Sequence, residues 1–358
     1  VTRVEPVSAE LLDAQLAALA ADLPPHAIKT GLLGSVDNVR VVCRWVDQVR
    51  DAARAQGYDV ALVVDPVFGA TTGAHFADDA LVQAYVRELL PRATLVTPNL
   101  AEALRLGLRV GAEWHTGQPS VVITGGDDAT AQGLASDWFT SPHASGWLSL
   151  PRVDAAHHHG TGCTFASTAA AALASGYCVA DAVVLAKMAT THALRHAYAA
   201  GQGAGPVQAL PDFAQHAANL PAFTLPGATA PLALHALKPF APLRNPALDV
   251  YAVVDSAAWV RRVLQSGIRT VQLRIKDPPG PTLAAQIQEA IAIARATPGA
   301  QLFINDHWQL ALQHGAYGVH LGQEDLDAVD LDALRQAGVR LGLSTHSYWE
   351  VARAWALR

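Results

Sequence analysis

Charge is scarce. Of 358 residues only 16% are charged, against 51% hydrophobic, and the formal net charge is -6 with 25 Lys and Arg against 31 Asp and Glu. Without a basic excess the chain cannot hold a nucleic-acid backbone or an anionic membrane surface by charge alone, so neither is an expected partner. Cysteine is scarce too. Cys43, Cys163 and Cys178 form no C-x-x-C pair, which argues against a disulfide framework or a zinc site and makes the cytoplasm the expected compartment. A membrane span is not expected: the longest apolar region, residues 169–193, is interrupted by Asp181 and Lys187.

The chain opens on Val1 and runs at once into a helical pattern (Leu11, Leu12, Leu16, Leu19, Leu23). Its last residues, Trp349 to Arg358, stop inside another, so a fragment is expected. In between, short β-rich apolar runs alternate with helix-length segments, the pattern of parallel sheets covered by helices, and the predicted fold class is α/β. Predicted strands cover 27–33, 60–64, 94–97, 120–124, 250–254, 270–274, 301–304, 318–321 and 340–344. Residues 201–248 hold eight of the 21 prolines, a composition that resists helix and sheet. The expected organisation is a domain at 1–200, a Pro/Gly-rich linker at 201–248 and a domain at 249–358. The second domain packs five strands into about 110 residues, as an incomplete (β/α)8 barrel would.

Two stretches carry chemistry. His159-Gly160-Thr161-Gly162-Cys163-Thr164 leads into an Ala-rich helical run. Amides of a glycine turn at a helix N-terminus converge on one point and can hold charge on a transferring phosphoryl group, and Cys163 there could act as a base. A plain tight turn with a small buried cysteine explains the spacing equally well. Asp65-Pro66-Val67 and Thr97-Pro98-Asn99, with Glu102 three residues on, sit at carboxyl ends of predicted strands, where open α/β sheets bind ligands.

Lys29-Thr30-Gly31-Leu32-Leu33-Gly34-Ser35, D-P-V, T-P-N-x-x-E, Gly125-Gly126 and H-G-T-G-C-T together resemble the hydroxymethylpyrimidine and phosphomethylpyrimidine kinases of thiamine biosynthesis, in the ribokinase-like superfamily. The resemblance covers about residues 1–200. It implies ATP, magnesium and two phosphorylations of the pyrimidine. By the same resemblance Cys163 is the expected base, Gly160 and Gly162 form the anion hole, Asp65 and Glu102 handle magnesium and phosphate, and Asn99 lies near the nucleotide. Thr124 stands where many relatives have Lys, and the family's opening G-x-D-x-S-G-G-A-G segment is absent.

In the second half, residues 270–277 alternate strictly, so Gln272, Arg274 and Lys276 share one face. In a half-buried strand that face would be solvated, whereas in a parallel barrel it looks inward and its cations need an anion. The next predicted strands end in Asn305-Asp306 and in Gly322-Gln323-Glu324-Asp325, carboxylates suited to magnesium, and then in Ser344. Q-L-R-x-K, I-N-D, G-V-H-L-G-Q-E-D and G-L-S-T-H resemble thiamine phosphate synthase. That resemblance implies that Gln272, Arg274, Lys276 and Asn305 grip a pyrimidine diphosphate, that Asp306 and Asp325 hold magnesium, and that Ser344 contacts substrate. The family's later T-x-T-K strand and thiazole-phosphate cradle are not in the chain.

The resulting expectation is a fused kinase and synthase acting on small molecules: hydroxymethylpyrimidine and its phosphates, thiazole phosphate and ATP, with a homo-oligomer left open. The alternatives are a pyridoxal-type ribokinase-like kinase joined to another barrel, and a non-catalytic pyrimidine- or phosphate-binding scaffold. His157 and His158 are read as loop residues, Asp127-Asp128 as a turn, Cys43 and Cys178 as core residues on helix faces. Trp45, Trp138, Trp147 and Trp259 are read as packing residues.

Overall fold

The computed structural model describes residues 5–69, 77–126, 133–224, 238–276 and 280–357, in two compact units divided at Leu232. Asp127, Asp128 and Asp277 lie outside the described residues. Among the described residues no helix is long and apolar enough to cross a membrane.

The first unit runs α1 (Ala9–Asp22), β1 (Ala27–Thr30), α2 (Val36–Ala55), β2 (Ala61–Val64), α3 (Asp79–Ala84), β3 (Leu95–Val96), α4 (Leu100–Arg105), β4 (Ser120–Ile123), β5 (Leu134–Thr140), β6 (Ser145–Pro151), α5 (Thr161–Ala174), α6 (Val179–Arg195) and β7 (Ala222–Phe223). Strands β1 to β4 pair in parallel and in sequence order, and Leu62, Val63, Val64 and Val122 at their centre are wholly buried. That is the continuous apolar run expected of a strand covered on both faces. Helix α2 starts where the Ser35 hydroxyl accepts from the Asn38 amide at 3.1 Å, and it buries Val39, Val42, Val46 and Val49 along one stripe.

The sheet is not wholly parallel. Strands β5, β6 and β7 extend it antiparallel, and the sequence reading contains none of the three. Residues 134–140 and 145–151 form a hairpin closed by Ser141 and Ala144, with Trp138 packed edge-on against Trp147 at 5.4 Å. Strand β7 falls inside the stretch 201–248, which is therefore not wholly a tether. Its amides find partners: Val207 donates to the His159 carbonyl at 3.0 Å, and Thr224 both donates to the Trp147 carbonyl and accepts from the Trp147 amide through its hydroxyl. Residues 244 and 245 likewise bond Tyr317 and Gln301 of the second unit.

Other expectations change in detail. Helix α1 buries no residue, and Leu11, Leu19 and Leu23 are exposed while Leu12 and Leu16 pack on the core. All three cysteines are free. Cys43 is buried as expected, but Cys178 is exposed at the start of α6. Trp259 is exposed and stacks under Arg262.

The second unit runs β8 (Tyr251–Val254), α7 (Ala257–Gln265), β9 (Thr270–Leu273), α8 (Gly280–Ala296), β10 (Gln301–Asn305), α9 (Trp308–His314), β11 (Gly318–Leu321), α10 (Leu331–Gln336), β12 (Arg340–Leu343) and α11 (Tyr348–Trp355). Five parallel strands pair in sequence order, the arrangement of successive barrel strands. Leu273, Ile287, Leu302, Ile304 and Leu321 fill the layer between strands and helices.

One buried ion pair ties the first unit together. Lys187 of α6 and Asp137 of β5 meet at 2.8 Å with side chains 7% and 4% exposed. Lys187 also donates to the Ala135 carbonyl, and Asp137 accepts from the Gly125 amide at 3.0 Å. Removing one partner strands a charge in the core. Asp137→Ala should therefore lose about 3–5 kcal/mol of stability in urea unfolding, and a paired Asp137→Leu, Lys187→Met replacement much less. Equal losses for the single and paired variants would show that packing, not charge, governs the site.

Candidate functional sites

In the first unit the parallel strands deliver their carboxyl ends to one edge of the sheet. Asp65 follows β2, Thr97-Pro98-Asn99 follows β3 and Thr124 follows β4, whose backbone bridges Asn99. Asp65 is buried. Burial pushes its carboxyl above the usual range, opposed by Lys29 of β1, whose Nζ lies 3.0 Å from Oδ2. Asn99 is the N-cap of α4: its Oδ1 accepts from the Glu102 amide, and the Glu102 carboxylate accepts from the Asn99 amide, both at 2.9 Å. T-P-N-x-x-E is thus a capping box, which engages Asn99 and Glu102 with each other.

Helix α5 packs on β1 and β2 and begins at Gly160, whose φ of 90° lies in the left-handed region. No side chain caps it; the Thr161 amide reaches the His158 carbonyl at 3.4 Å, which leaves the Gly162 and Cys163 amides for a ligand, and Cys163 stands exposed in that turn. The loop before it is pinned from the 201–248 stretch. His159 donates its amide to the Gly205 carbonyl at 3.1 Å, and His157 Nδ1 accepts from the Gly205 amide at 3.0 Å. A Cβ at Gly205 would come within 1.9 Å of the Tyr198 carbonyl oxygen, so close packing requires glycine there. His157, read as a plain loop residue, is a structural acceptor.

Among the described residues, His192, Asp212 and His216 form a cluster with metal-ligand spacing. The proton positions argue against an ion. Asn219 must present its oxygen to Arg195 and its amide nitrogen to the Phe213 carbonyl, so the same nitrogen donates to His192 Nδ1. His192 in its neutral form then carries its proton on Nε2 and donates to Asp212 at 3.1 Å, where a metal would need a lone pair. The cluster fastens the post-α6 segment to α6.

The second unit holds a cavity of about 460 Å³ at the carboxyl ends of its strands, lined by Gln272, Arg274, Asn305, Asp306 and Ser344. Five sequence-predicted residues from three strands and the residues directly after them thus share one space. Lys276 and Asp325 do not line it. Strand β9 ends at Leu273, and Lys276 lies exposed beyond it, so the alternation read through residue 277 outruns the strand. Asp325 accepts from the Gly322 amide at 2.8 Å. Asp306 adopts a φ of 60°, uncommon for a side-chain-bearing residue, while its amide donates to the His320 carbonyl. Burial and then the charge of Asp325 push the Asp306 carboxyl upward. Two neighbouring carboxylates, with Asp306 raised in part by the charge of Asp325, offer only oxygen donors of the kind a hard divalent ion takes, and Asp306 and Asp325 fit magnesium on that ground.

The cavity also takes Glu324, one of the strand-end carboxylates, and four residues to which the sequence assigns no role: Tyr251, His320, Gln323 and Glu350. Burial raises the Tyr251 hydroxyl to about 12 and lowers His320, which keeps both neutral near pH 7. The inward phase of Val319-His320-Leu321 was the available signal.

A family model for phosphomethylpyrimidine kinase matches residues 1–208, more than half of the chain. The chain belongs to that family. A model for thiamine monophosphate synthase matches residues 250–358, so a synthase-family part follows the kinase-family part in one polypeptide. The synthase-family part is similar to the thiamine-phosphate synthases of Photorhabdus laumondii (56% identical over 120 residues, 34% of this chain and 55% of that one) and Serratia proteamaculans (56% over 111 residues, 31% and 52%). The chain spans about half the length of these relatives. Solved structures similar to the kinase-family part include pyridoxal kinase from Staphylococcus aureus with ADP (29% identity, TM-score 0.49, 57% of this chain and 75% of that one). Phosphomethylpyrimidine kinase from Clostridium difficile 630 is another (23%, 0.41, 53% and 78%).

In the kinase-family part, Gly160→Ala forces a side chain into left-handed backbone and should cost about 1–2 kcal/mol. Gly162→Ala, whose Cβ meets nothing within 4 Å, should be neutral or stabilising by up to about 1 kcal/mol. Urea denaturation midpoints moving in the same direction would contradict this account of the turn.

Proposed function

We propose that the chain serves thiamine biosynthesis twice over: ATP-dependent phosphorylation of hydroxymethylpyrimidine and its monophosphate, then magnesium-dependent coupling of the diphosphate with thiazole phosphate. The kinase domain takes residues 1–200, the synthase domain 249–358, and 201–248 joins them. A cytoplasmic setting accords with three free cysteines. The observation that carries the reading is the convergence of Gln272, Arg274, Asn305, Asp306 and Ser344 on one cavity, within a stretch that matches the synthase family model.

In the kinase step the Cys163 thiolate takes the proton of the substrate hydroxyl while that oxygen attacks the γ-phosphorus of ATP, and the β–γ bridging oxygen leaves with ADP. The amides at Gly160 and Gly162 stabilise the charge on the phosphoryl oxygens. Asp65, Asn99 and Glu102 belong to the nucleotide and phosphate side of this site. The Lys29–Asp65 pair and the capping box supply its scaffold.

In the synthase step the bond between the pyrimidine methylene and the diphosphate oxygen breaks, and the thiazole nitrogen bonds to that carbon, releasing pyrophosphate. Arg274 lines the cavity to receive the leaving charge. Gln272, Asn305 and Ser344 orient the diphosphate and the ring. Magnesium held by Asp306 and Asp325 would supply Lewis-acid stabilisation of the departing pyrophosphate. The phosphomethylpyrimidine kinase match favours this reading over a pyridoxal-type kinase.

Cys163→Ala is expected to lower pyrimidine phosphorylation by about 10²–10⁴-fold while coupling of supplied diphosphate continues. Asp306→Ala should do the reverse, abolishing magnesium-dependent coupling and sparing ATP use. Product assays on the two variants check both, and loss of both activities in either variant would contradict the division of labour.

A further inference from the structure

Four side chains from four strands of the second unit form a continuous hydrogen-bonded row across the cavity floor. Gln272 Nε2 lies 3.2 Å from the Tyr251 hydroxyl, that hydroxyl 3.1 Å from His320 Nδ1, and His320 Nε2 3.1 Å from the Ser344 hydroxyl. The row has a direction. An amide nitrogen only donates, so the Tyr251 oxygen accepts from Gln272, and its hydrogen, with no other acceptor among the described residues, goes to His320 Nδ1. That nitrogen must carry a lone pair, so the imidazole is neutral with its proton on Nε2, and this proton goes to the Ser344 oxygen. Ser344 is thereby an acceptor toward the protein, and its own hydrogen is left to donate elsewhere. The elsewhere is the cavity, which Ser344 lines together with Arg274.

The backbone holds this row in place. His320 pairs in register with Gly342 of β12, where a Cβ would stand 2.6 Å from His320 Nδ1, so only glycine leaves room for the ring. Ser344 is pinned by its amide to the Leu321 carbonyl at 3.0 Å and by Gln323, which donates to its carbonyl at 2.8 Å.

We infer that Tyr251 and His320 are positioning residues that fix the polarity of the Ser344 hydroxyl, making it an obligate hydrogen-bond donor to the anionic occupant of the cavity. The inference rests on the proposed diphosphate-binding role of this cavity for the identity of the anion, and on the hydrogen-bond geometry alone for the polarity. A hydroxyl free to rotate would spend part of its time presenting a lone pair to an anion. A hydroxyl whose acceptor side is already taken does not, and the order is set before the ligand arrives.

Two measurements on the whole chain separate the parts of this argument. In long-range proton–nitrogen correlation spectra of the ¹⁵N-labelled protein near pH 7, with His320 assigned through His320→Gln, His320 should appear as the Nε2–H tautomer. Tyr251→Phe removes the donor to Nδ1 and should raise the Nδ1–H form. A wild-type His320 that is Nδ1–H or doubly protonated overturns the directed row, whatever the chain binds.

The second measurement is calorimetric titration with inorganic pyrophosphate and magnesium. Ser344→Ala and Tyr251→Phe should each weaken binding by about fivefold, the worth of one hydrogen bond. The double variant should be no more than about twofold weaker than Ser344→Ala alone, because Tyr251 acts through Ser344. Losses that multiply overturn the positioning role, as does a Tyr251→Phe variant that binds like wild type. A wild-type chain that takes up no pyrophosphate contradicts the diphosphate reading of the cavity, and the tautomer then still decides the row.

Discussion

The second unit depends on one constraint: parallel strands paired in register must release their polar ends at the same edge. Asn305, His320 and Gly342 occupy one such row across β10, β11 and β12, and Gln272 stands two residues behind the end of that level on β9. The apolar alternates, Leu273, Ile304 and Leu321, turn the other way into the helices and supply the burial that holds the strands together. The polar set is then committed to a common space whether or not a ligand is there. Buried polar atoms without partners are costly, so that space has to be wired internally, and the row from Gln272 to Ser344 is the wiring.

The first unit meets the same constraint with a different device. Its strand ends are short and mostly spoken for: Asp65 by Lys29, and Asn99 and Glu102 by each other. The uncommitted donors come instead from the first turn of α5, opened by the left-handed Gly160 and steadied by the 205–207 segment. Such an arrangement suits a transferring phosphoryl group, whose charge is spread over several oxygens and is better met by a fan of backbone amides than by one cation. The Lys187–Asp137 pair contributes at one remove. It places the Gly125 amide, and with it the end of β4, where a Cβ at Gly125 would collide with the Ser136 carbonyl at 2.0 Å.

Much of this was legible in the chain itself. The strand tips of the second unit announce themselves because acid, amide and hydroxyl residues directly follow Val- and Leu-rich runs, a pattern with few other physical explanations. Other features were not. Strands β5 and β6 carry Ser136, Asp137 and Ser149 at buried positions, which a search for apolar alternation passes over; the two serines satisfy each other at 3.0 Å. T-P-N-x-x-E has the spacing of a capping box, and the fold uses it as one. Lys276 lies past the end of β9, so the alternation through residue 277 no longer sets its direction, and it is exposed. The Tyr251–His320 contact joins residues 69 apart in sequence, and no local pattern encodes it.

The central claim is that the strand ends of the second unit make one anion-and-cation site. Water-proton relaxation enhancement with manganese standing in for magnesium measures it most directly. The account predicts that the chain binds manganese weakly alone and far more tightly once pyrophosphate is added, and that Asp306→Asn removes the enhancement. Manganese binding that ignores pyrophosphate, or that survives Asp306→Asn unchanged, would contradict it.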